Sequence, residues 1–442
     1  MRQASLIGHV IEIYSAFAKK PERPADLHIR NFFSERKYLG AKDRRFIADA
    51  YFGTIKNYRR LEAIVRDTDL EKKEFKTGDP LFSVLTASAY FIAIQGLSPD
   101  EVNEALFEIN LPFAQDFVRE QFWAMADRNR EIERLGALPP TERLATVYSF
   151  PLWFVQRLEQ EYGEAEIEAL LSSMNEEAPT VLRANKLVVK DREELAHELS
   201  AEGCETSPSL LAESALTIPR RINVLGSKAF KRGAFEIQDE ASQLVAPLAG
   251  IEDTRVKVLD ACAGAGGKTL HFSALLENKG EIYATDIDGY KIDELKKRLK
   301  RSTSQNVRII YPERREEELK KKRGWFDVVL LDVPCTGTGT LRRNPGIKWV
   351  MTEQMLDEVL VKQRAILEEN AQYVKPGGVL LYATCSVLKE EGESQIDLFL
   401  SSAPGFVLES TLRTRPDIDG CDGFFAVRLR KSKMESLPSM SD

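Results

Sequence analysis

The sequence predicts an α/β protein: an open, doubly wound, mostly parallel sheet in the C-terminal half, preceded by an all-helical region and a small α+β module. Three observations carry this. From about residue 226, short apolar runs rich in Val, Ile and Leu alternate with helical patterns, as buried parallel strands and their crossover helices do. Residues 1 to about 140 show helical apolar periodicity almost throughout. Between about 144 and 225 a helix pair, a strand-like run and a further helix follow at shorter spacing. At 442 residues the chain is too long for one ordinary domain, and 43% hydrophobic with 30% charged residues is a globular composition with ample core.

In the N-terminal part, "DRRFIADAYFGTIKNYRRLEAIV" sets Phe46, Ile47, Ala50, Tyr51, Ile55 and Tyr58 on one helical face. "DPLFSVLTASAYFIAIQGL" is apolar nearly all round, the pattern of a central bundle helix. In "LSPDEVNEALFEI", Ser98 is the expected N-cap, with Pro99 at the first helical position and acids in the first turn. Pro139 and Pro140 interrupt the pattern. The middle module then reads as a helix pair ("FPLWFVQRLEQEYGEAEIEALLSSMNE"), a strand ("TVLRANKL") and a helix ("DREELAHELSAEG"). Beyond 226 the expected strands are "VKVLDAC", "EIYATDI", "VRII", "FDVVLLDV" and "GVLLYATC". Ligands of such sheets bind beyond the carboxyl ends of the strands. There stand Asp260 to Lys268, Asp286, Asp332 to Cys335, and Cys385.

No run of about 18 uncharged apolar residues is present, and the N-terminus lacks the apolar block of a secretory signal. Five scattered cysteines without a tight framework suit a reduced, cytoplasmic protein. Four single histidines offer no metal-ligand spacing, so no metal is expected. The net charge of -7 argues against nucleic acid only on average. Basic blocks such as "AKDRRF", "KNYRR", "PRR", "SKAFKRG", "KKRLKR", "TLRRNPGIKW" and "RLRKSKM" are local, as phosphate footprints are. Any one of them alone reads as a solvated face.

"VLDACAGAGGKT" runs strand, glycine turn, helix, a form in which backbone N–H groups and a helix N-terminus face a ligand. A phosphate-binding P-loop needs a glycine where Cys262 stands, so an ATPase is disfavoured. The dinucleotide fingerprint lacks its third glycine. S-adenosylmethionine is the remaining candidate. Cys262, Ala263, Gly264, Ala265, Gly266, Gly267 and Lys268 form its loop, and Asp286, about 20 residues on at a strand end, takes the ribose hydroxyls. Asp288 is the alternative register.

"DVPCTGTG" and "YATCSV" place Cys335 and Cys385 at neighbouring strand ends facing that loop. Free cysteine is usually a small buried hydrophobe, and Cys204 and Cys421 are read so. Methylating a pyrimidine at C5, however, requires a thiolate to add to C6 and make C5 enamine-like. It also requires an acid at the ring's N3 and amino edge, for which Asp332 stands ready, and a base for the C5 proton.

These stretches resemble the RNA cytosine-5 methyltransferases of the Rsm/Nop/Sun type. The likeness extends to "GAFEIQDEASQLV" before the cofactor loop, to "DVPCTGTGTLRRNPGIKW", and to "RPDIDGCDGFFAVRLRK" near the end. "YSFPLWFV" and "VLRANKL" resemble the family's small RNA-binding subdomain. "LGAKDRRFIADAYFGTIKNYRRLEAIV" resembles the NusB-type domain of bacterial members that modify small-subunit ribosomal RNA. The resemblance implies a class I S-adenosylmethionine-dependent, Rossmann-like catalytic domain over 226–432, a NusB-like RNA-binding domain over 1–143, an α+β subdomain over 144–225 and a polar tail over 433–442. It implies Cys385 as nucleophile and Cys335 in elimination and release. Asp332 would contact the base or the cofactor's methionine end.

Two departures stand out. Ala265 replaces the usual proline, and Glu313 stands where an aspartate normally meets the adenosine. Arg342, Arg343 and Lys348 are expected to hold phosphates beside the thiols. Trp349 is available to stack on a base, although a lone aromatic is more often core. Lys42, Arg44, Arg45, Lys56, Arg59 and Arg60 are candidate RNA contacts of the helical domain. The expected activity is therefore cytosine-5 methylation of RNA by a cytoplasmic monomer. Ribosomal RNA is the expected substrate. Transfer RNA and a non-catalytic ribosome assembly factor are the alternatives.

Overall fold

The structure, a computed structural model, describes residues 1–68, 76, 78–109, 115–218 and 223–433, with the side chains of 115–118 also left aside. The basic block 219–221 and nearly all of the expected tail lie outside the described residues. The chain packs as two compact units: Met1–Glu176 with Leu341–Glu353, and Glu177–Thr340 with Gln354–Asp442.

The first unit is built of helices, from Gln3–Ala18 to Glu164–Ser173. The face read at 46–58 is buried at Ile47, Ala50, Tyr51, Ile55 and Tyr58. Pro80–Ala89 is buried nearly all round and continues into a π turn, Tyr90–Ile94. Ser98 caps Pro99–Glu108 by reciprocal bonds. Its hydroxyl accepts from Glu101 N (3.2 Å), and the Glu101 carboxylate accepts from Ser98 N (2.8 Å).

The segment Leu341–Glu353 belongs to this helical unit, which corrects the expectation for Lys348 and gives Trp349 the core place that a lone aromatic more often takes. Trp349 stacks on Tyr58 with ring centroids 4.0 Å apart, meets Phe17 edge-on, and donates its indole N–H to Ile55 O. Lys348 is fully buried, and its ammonium donates to Tyr148 O (3.1 Å), Lys56 O (3.3 Å) and the Asn175 side chain. Burial pushes its pKa well below the usual lysine range. Lys348 holds backbone carbonyls rather than phosphate, and Trp349 is core. Among the other basic candidates, Arg44, Lys56 and Arg60 bond to internal carbonyls or to Glu131. Lys42 and Arg45 are exposed.

The second unit holds two sheets. Strands β1 (Thr180–Ala184), β2 (Ser207–Pro208), β3 (Ala215–Ile218) and β4 (Phe235–Ile237) form an antiparallel sheet in the order β2-β3-β1-β4. Strands β5 (Lys257–Asp260), β6 (Glu281–Thr285), β7 (Val307–Ile310), β8 (Phe326–Asp332), β9 (Val374–Thr384), β10 (Phe406–Thr414) and β11 (Phe424–Lys431) form the larger sheet, ordered β10-β11-β9-β8-β5-β6-β7. Neighbours from β7 to β9 are parallel, whereas β11 and β10 add antiparallel to β9. Apolar clusters cover both faces of this sheet, which is why its inner strands read as unbroken hydrophobic runs. β5 pairs with β6 on one side and β8 on the other, so the chain reverses direction there and opens a crevice at the strand ends.

Candidate active site

The loop after β5 is fixed from three sides. Ala261 N donates to Leu330 O and Ala263 N to Thr285 O, tying it to both neighbouring strands. Gly264 (φ +52°) and Gly266 (φ +86°) adopt left-handed backbone that side chains disfavour. At Gly266 a Cβ would also lie 2.1 Å from Leu295 Cδ1, so any larger residue would push that side chain of the helix Gly289–Arg301 aside. Outward-facing carbonyls are braced by two arginines, half-buried Arg298 and fully buried Arg183. Arg298 donates to Ala265 O (2.8 Å) and to Glu236, and Arg183 donates to Gly267 O (2.7 Å). With alanine at 265 in place of proline, this bracing supplies stiffness from outside the loop.

A cleft of about 280 Å³ opens at the ends of β5, β6 and β8, lined among others by Cys262, Gly264, Asp286, Arg315, Asp332 and Pro334. Asp286 is buried, and both its oxygens are engaged. Oδ2 accepts from Gly264 N (2.8 Å) and Oδ1 from Asp288 N (2.9 Å). Two such bonds occupy about half of a carboxylate's acceptor sites, leaving room for hydroxyl donors. Asp288 caps the next helix by accepting from Tyr290 N, so the register alternative is a structural role. Lys268 is buried and donates to Asp332 at 2.6 Å. It is therefore committed to a carboxylate and not poised for phosphates.

Ala263, Ala265, Gly266, Gly267 and Lys268 do not line the cleft; they shape the turn behind it. Glu313 is exposed on the turn Pro312–Arg314 and is not among the residues that line the cleft. Asp260, below the loop, accepts from the Thr269 hydroxyl, and burial raises its pKa to about 7. Burial likewise pushes the Cys262 thiol up.

The two cysteines meet. Cys335, three residues past the end of β8, and Cys385, at the end of β9, have sulfurs 3.2 Å apart. Both residues are half-buried. The hydrogen bond with Cys385, then burial, then the negative charges of Cys385 and Glu391 raise the Cys335 pKa well above an ordinary thiol. Sequence reasoning missed Glu391, which is buried beneath both cysteine turns. Its only trace in the sequence is the acid-rich "KEEGE" shortly after Cys385, a run that by itself reads as a solvated turn. Among the described residues there is no helix long and apolar enough to cross a membrane.

A doubly wound sheet, a glycine loop at its switch point and an acid at the next strand end together define a Rossmann-like, S-adenosylmethionine-dependent methyltransferase. The donor set fits that cofactor. Asp286 offers acceptors for a diol, and a Cβ at Gly264 would project into open space at the cleft wall. Asp332 adds a carboxylate suited to a sulfonium or ammonium group.

Comparison with known proteins narrows the class. Residues 248–430 match the family model for the 16S rRNA methyltransferase RsmB/F, and residues 150–225 match the RsmF/B-like ferredoxin-like domain. A probable ribosomal RNA small subunit methyltransferase B of Bacillus subtilis is 31% identical over 309 residues, covering 66% of this chain and 68% of that one. The ribosomal RNA small subunit methyltransferase B of Vibrio cholerae is 27% identical over 97% of this chain and 99% of its own. The crystal structure of PH0851 superposes with a TM-score of 0.78 at 28% identity, covering 98% of this chain and 99% of that one. The chain belongs to the RsmB/F family of rRNA methyltransferases.

Proposed function

We propose that this protein methylates C5 of a cytosine in small-subunit ribosomal RNA through a covalent adduct between a cysteine and C6. The observation that carries the reading is the thiol pair: two sulfurs 3.2 Å apart at adjacent strand ends, beside an aspartate that lines the cofactor cleft. A rRNA methyltransferase acting on base nitrogens or ribose needs no such pair. When bound, S-adenosylmethionine supplies an electrophilic methyl group.

The residues divide the remaining work. The Cys385 thiolate adds to C6, and the electron pair moves to C5, which becomes nucleophilic enough to take the methyl group. Asp332, held by Lys268, accepts from the amino group of the base and, in its protonated form, donates to N3, so the negative charge that develops on the ring is neutralised. The C5 proton then leaves to a base at the site, the C6–S bond breaks, and Cys385 is regenerated as thiolate. Cys335 assists this elimination. This division of labour is the one the likeness to the RNA cytosine-5 methyltransferases implies, with Cys385 in the Thr-Cys turn and Cys335 in the Pro-Cys turn.

The target base must leave any stack to reach Cys385, so looped or single-stranded RNA is the proposed form of the substrate. The helical region and the ferredoxin-like module are proposed to hold that RNA, with the helical region acting as a NusB-like domain. Five free thiols and a ribosomal substrate suit the cytoplasm, and a monomer is the proposed assembly. The test is incubation of the purified protein with S-adenosylmethionine and unmodified small-subunit rRNA, followed by nucleoside analysis. The expected product is 5-methylcytidine at one position. A methylated ribose or base nitrogen would overturn the reading, and modification of transfer RNA alone would move the substrate.

A further inference from the structure

The two turns that carry the thiols are tied to one carboxylate. Glu391 is fully buried, six residues beyond Cys385. Its Oε2 accepts from Thr336 N (2.9 Å) and from Gln363 Nε2 (2.9 Å). Its Oε1 accepts from the Ser386 hydroxyl (2.6 Å) and from the Thr336 hydroxyl. Thr336 and Ser386 directly follow Cys335 and Cys385. Four donors fill the four or so acceptor sites a carboxylate has, and they come from both cysteine turns and the helix Glu353–Ala371.

Surrounding bonds close the assembly. Thr338 Oγ1 lies 2.9 Å from Ser386 Oγ, and Gly339 N donates to Cys385 O at 3.0 Å. Gln363 also donates to Pro334 O, and the Tyr382 hydroxyl donates to the Glu391 backbone carbonyl. A buried charge is retained only where its donors are in place. Displacing either turn would strip Glu391 of part of its shell, so the carboxylate resists any separation of the turns.

We propose that Glu391 is a positioning residue for the thiol pair, clamping the turns after Cys335 and Cys385 so that the two sulfurs stay within contact distance. The proposal rests on the two-cysteine reading above and deepens it. It has an electrostatic corollary. The same carboxylate contributes to keeping Cys335 protonated, behind its bond to Cys385 and burial.

The test uses the full chain with Glu391→Gln, Thr336→Val and Thr336→Ser, and two independent readouts. The first is oxidation by a diazenedicarboxamide, in which two thiols give up two hydrogens to the N=N bond and form a disulfide; peptide mass analysis then counts the Cys335–Cys385 product. Its rate is expected to fall about tenfold or more in Glu391→Gln and Thr336→Val, because small misplacements of paired groups cost this much. Thr336→Ser, which restores the hydroxyl, returns it to the wild-type rate. The second readout is single-turnover methyl transfer against pH. Glu391→Gln is expected to lower the rate without changing the RNA KM. It also moves the alkaline limb to lower pH, because the removed charge no longer opposes the thiolate. A limb that stays put while the rate falls overturns the electrostatic corollary.

Oxidation rates unchanged in both Glu391→Gln and Thr336→Val overturn the clamp whatever methylation does. Cys385→Ala run alongside separates the two failures. Full methylation by that variant would sink the two-cysteine reading, even if the oxidation arm behaved as expected.

Discussion

Replacing Asp286 by asparagine separates the two carboxylates at the end of β6 and tests the wall of the cofactor cleft. Asp286 accepts one backbone N–H on each oxygen, from Gly264 at 2.8 Å and Asp288 at 2.9 Å, in a buried position. Asparagine has nearly the same volume but only one acceptor oxygen. Whichever way its amide turns, the NH2 faces one of those two donors. One charge-assisted bond is lost and a donor is opposed by a donor, at a cost of about 1.5–3 kcal/mol. Gly264 lines the cleft, so the loop that must meet the cofactor is the part that moves. Expressed wholly in binding, that cost is a loss of about 10- to 150-fold in S-adenosylmethionine affinity. Asp288→Asn is the control. Its side chain only caps the following helix, where asparagine serves about as well, and a change of a few tenths of a kcal/mol is expected. Isothermal titration of both variants with S-adenosylmethionine reads the difference. Equal affinities for Asp286→Asn and wild type, or equal losses in both variants, would refute the assignment.

Two further outcomes follow from the same loop. Arg298→Met removes the bond to Ala265 O and one of two arginines on buried Glu236, leaving Arg301 in place. Amide exchange over 261–267 is expected to accelerate about 5- to 150-fold, from a loss of about 1–3 kcal/mol, with exchange in the helical unit unchanged. Unchanged exchange in the loop would show that Ala265 needs no brace. Asp260 has a folded pKa of about 7, raised chiefly by burial, against about 3.9 unfolded. Its protonated form is the one the fold favours. Its contribution to stability is therefore complete below about pH 4 and lost as pH rises towards 7, by at most about 4 kcal/mol. Asp260→Asn removes that titration, so the gain in melting temperature over wild type should widen between pH 5 and pH 8. A gap independent of pH would mean that Asp260 is not the titrating group.

The sheet and its strand ends were legible because buried parallel strands leave an unmistakable record: "VKVLDAC", "FDVVLLDV" and "GVLLYATC" are apolar on both faces. The edge strand β10 left none, since "FVLESTLRT" is half exposed and reads as polar. The thiol pair could be anticipated because both cysteines sit at the ends of strands that lie side by side in the sheet. Glu391 could not, because no local pattern says that an acid after a turn folds back beneath two cysteines fifty residues apart. Lys348 was misread for the complementary reason. A basic-aromatic stretch following the Pro-Cys turn looks like a phosphate contact, and only tertiary packing reveals that Leu341–Glu353 belongs to the helical unit. Glu313 was assigned by position alone, and it stands exposed outside the cleft lining.

The central claim is that the two thiols have different tasks, and denaturing mass analysis of enzyme mixed with rRNA and S-adenosylmethionine tests it most directly. Cys335→Ala is expected to accumulate a covalent protein–RNA species, because addition and methyl transfer proceed while release fails. Cys385→Ala is expected to give neither adduct nor product. An adduct that persists in Cys385→Ala and is absent from Cys335→Ala would reverse the roles, and methylation surviving in both would remove the covalent mechanism altogether.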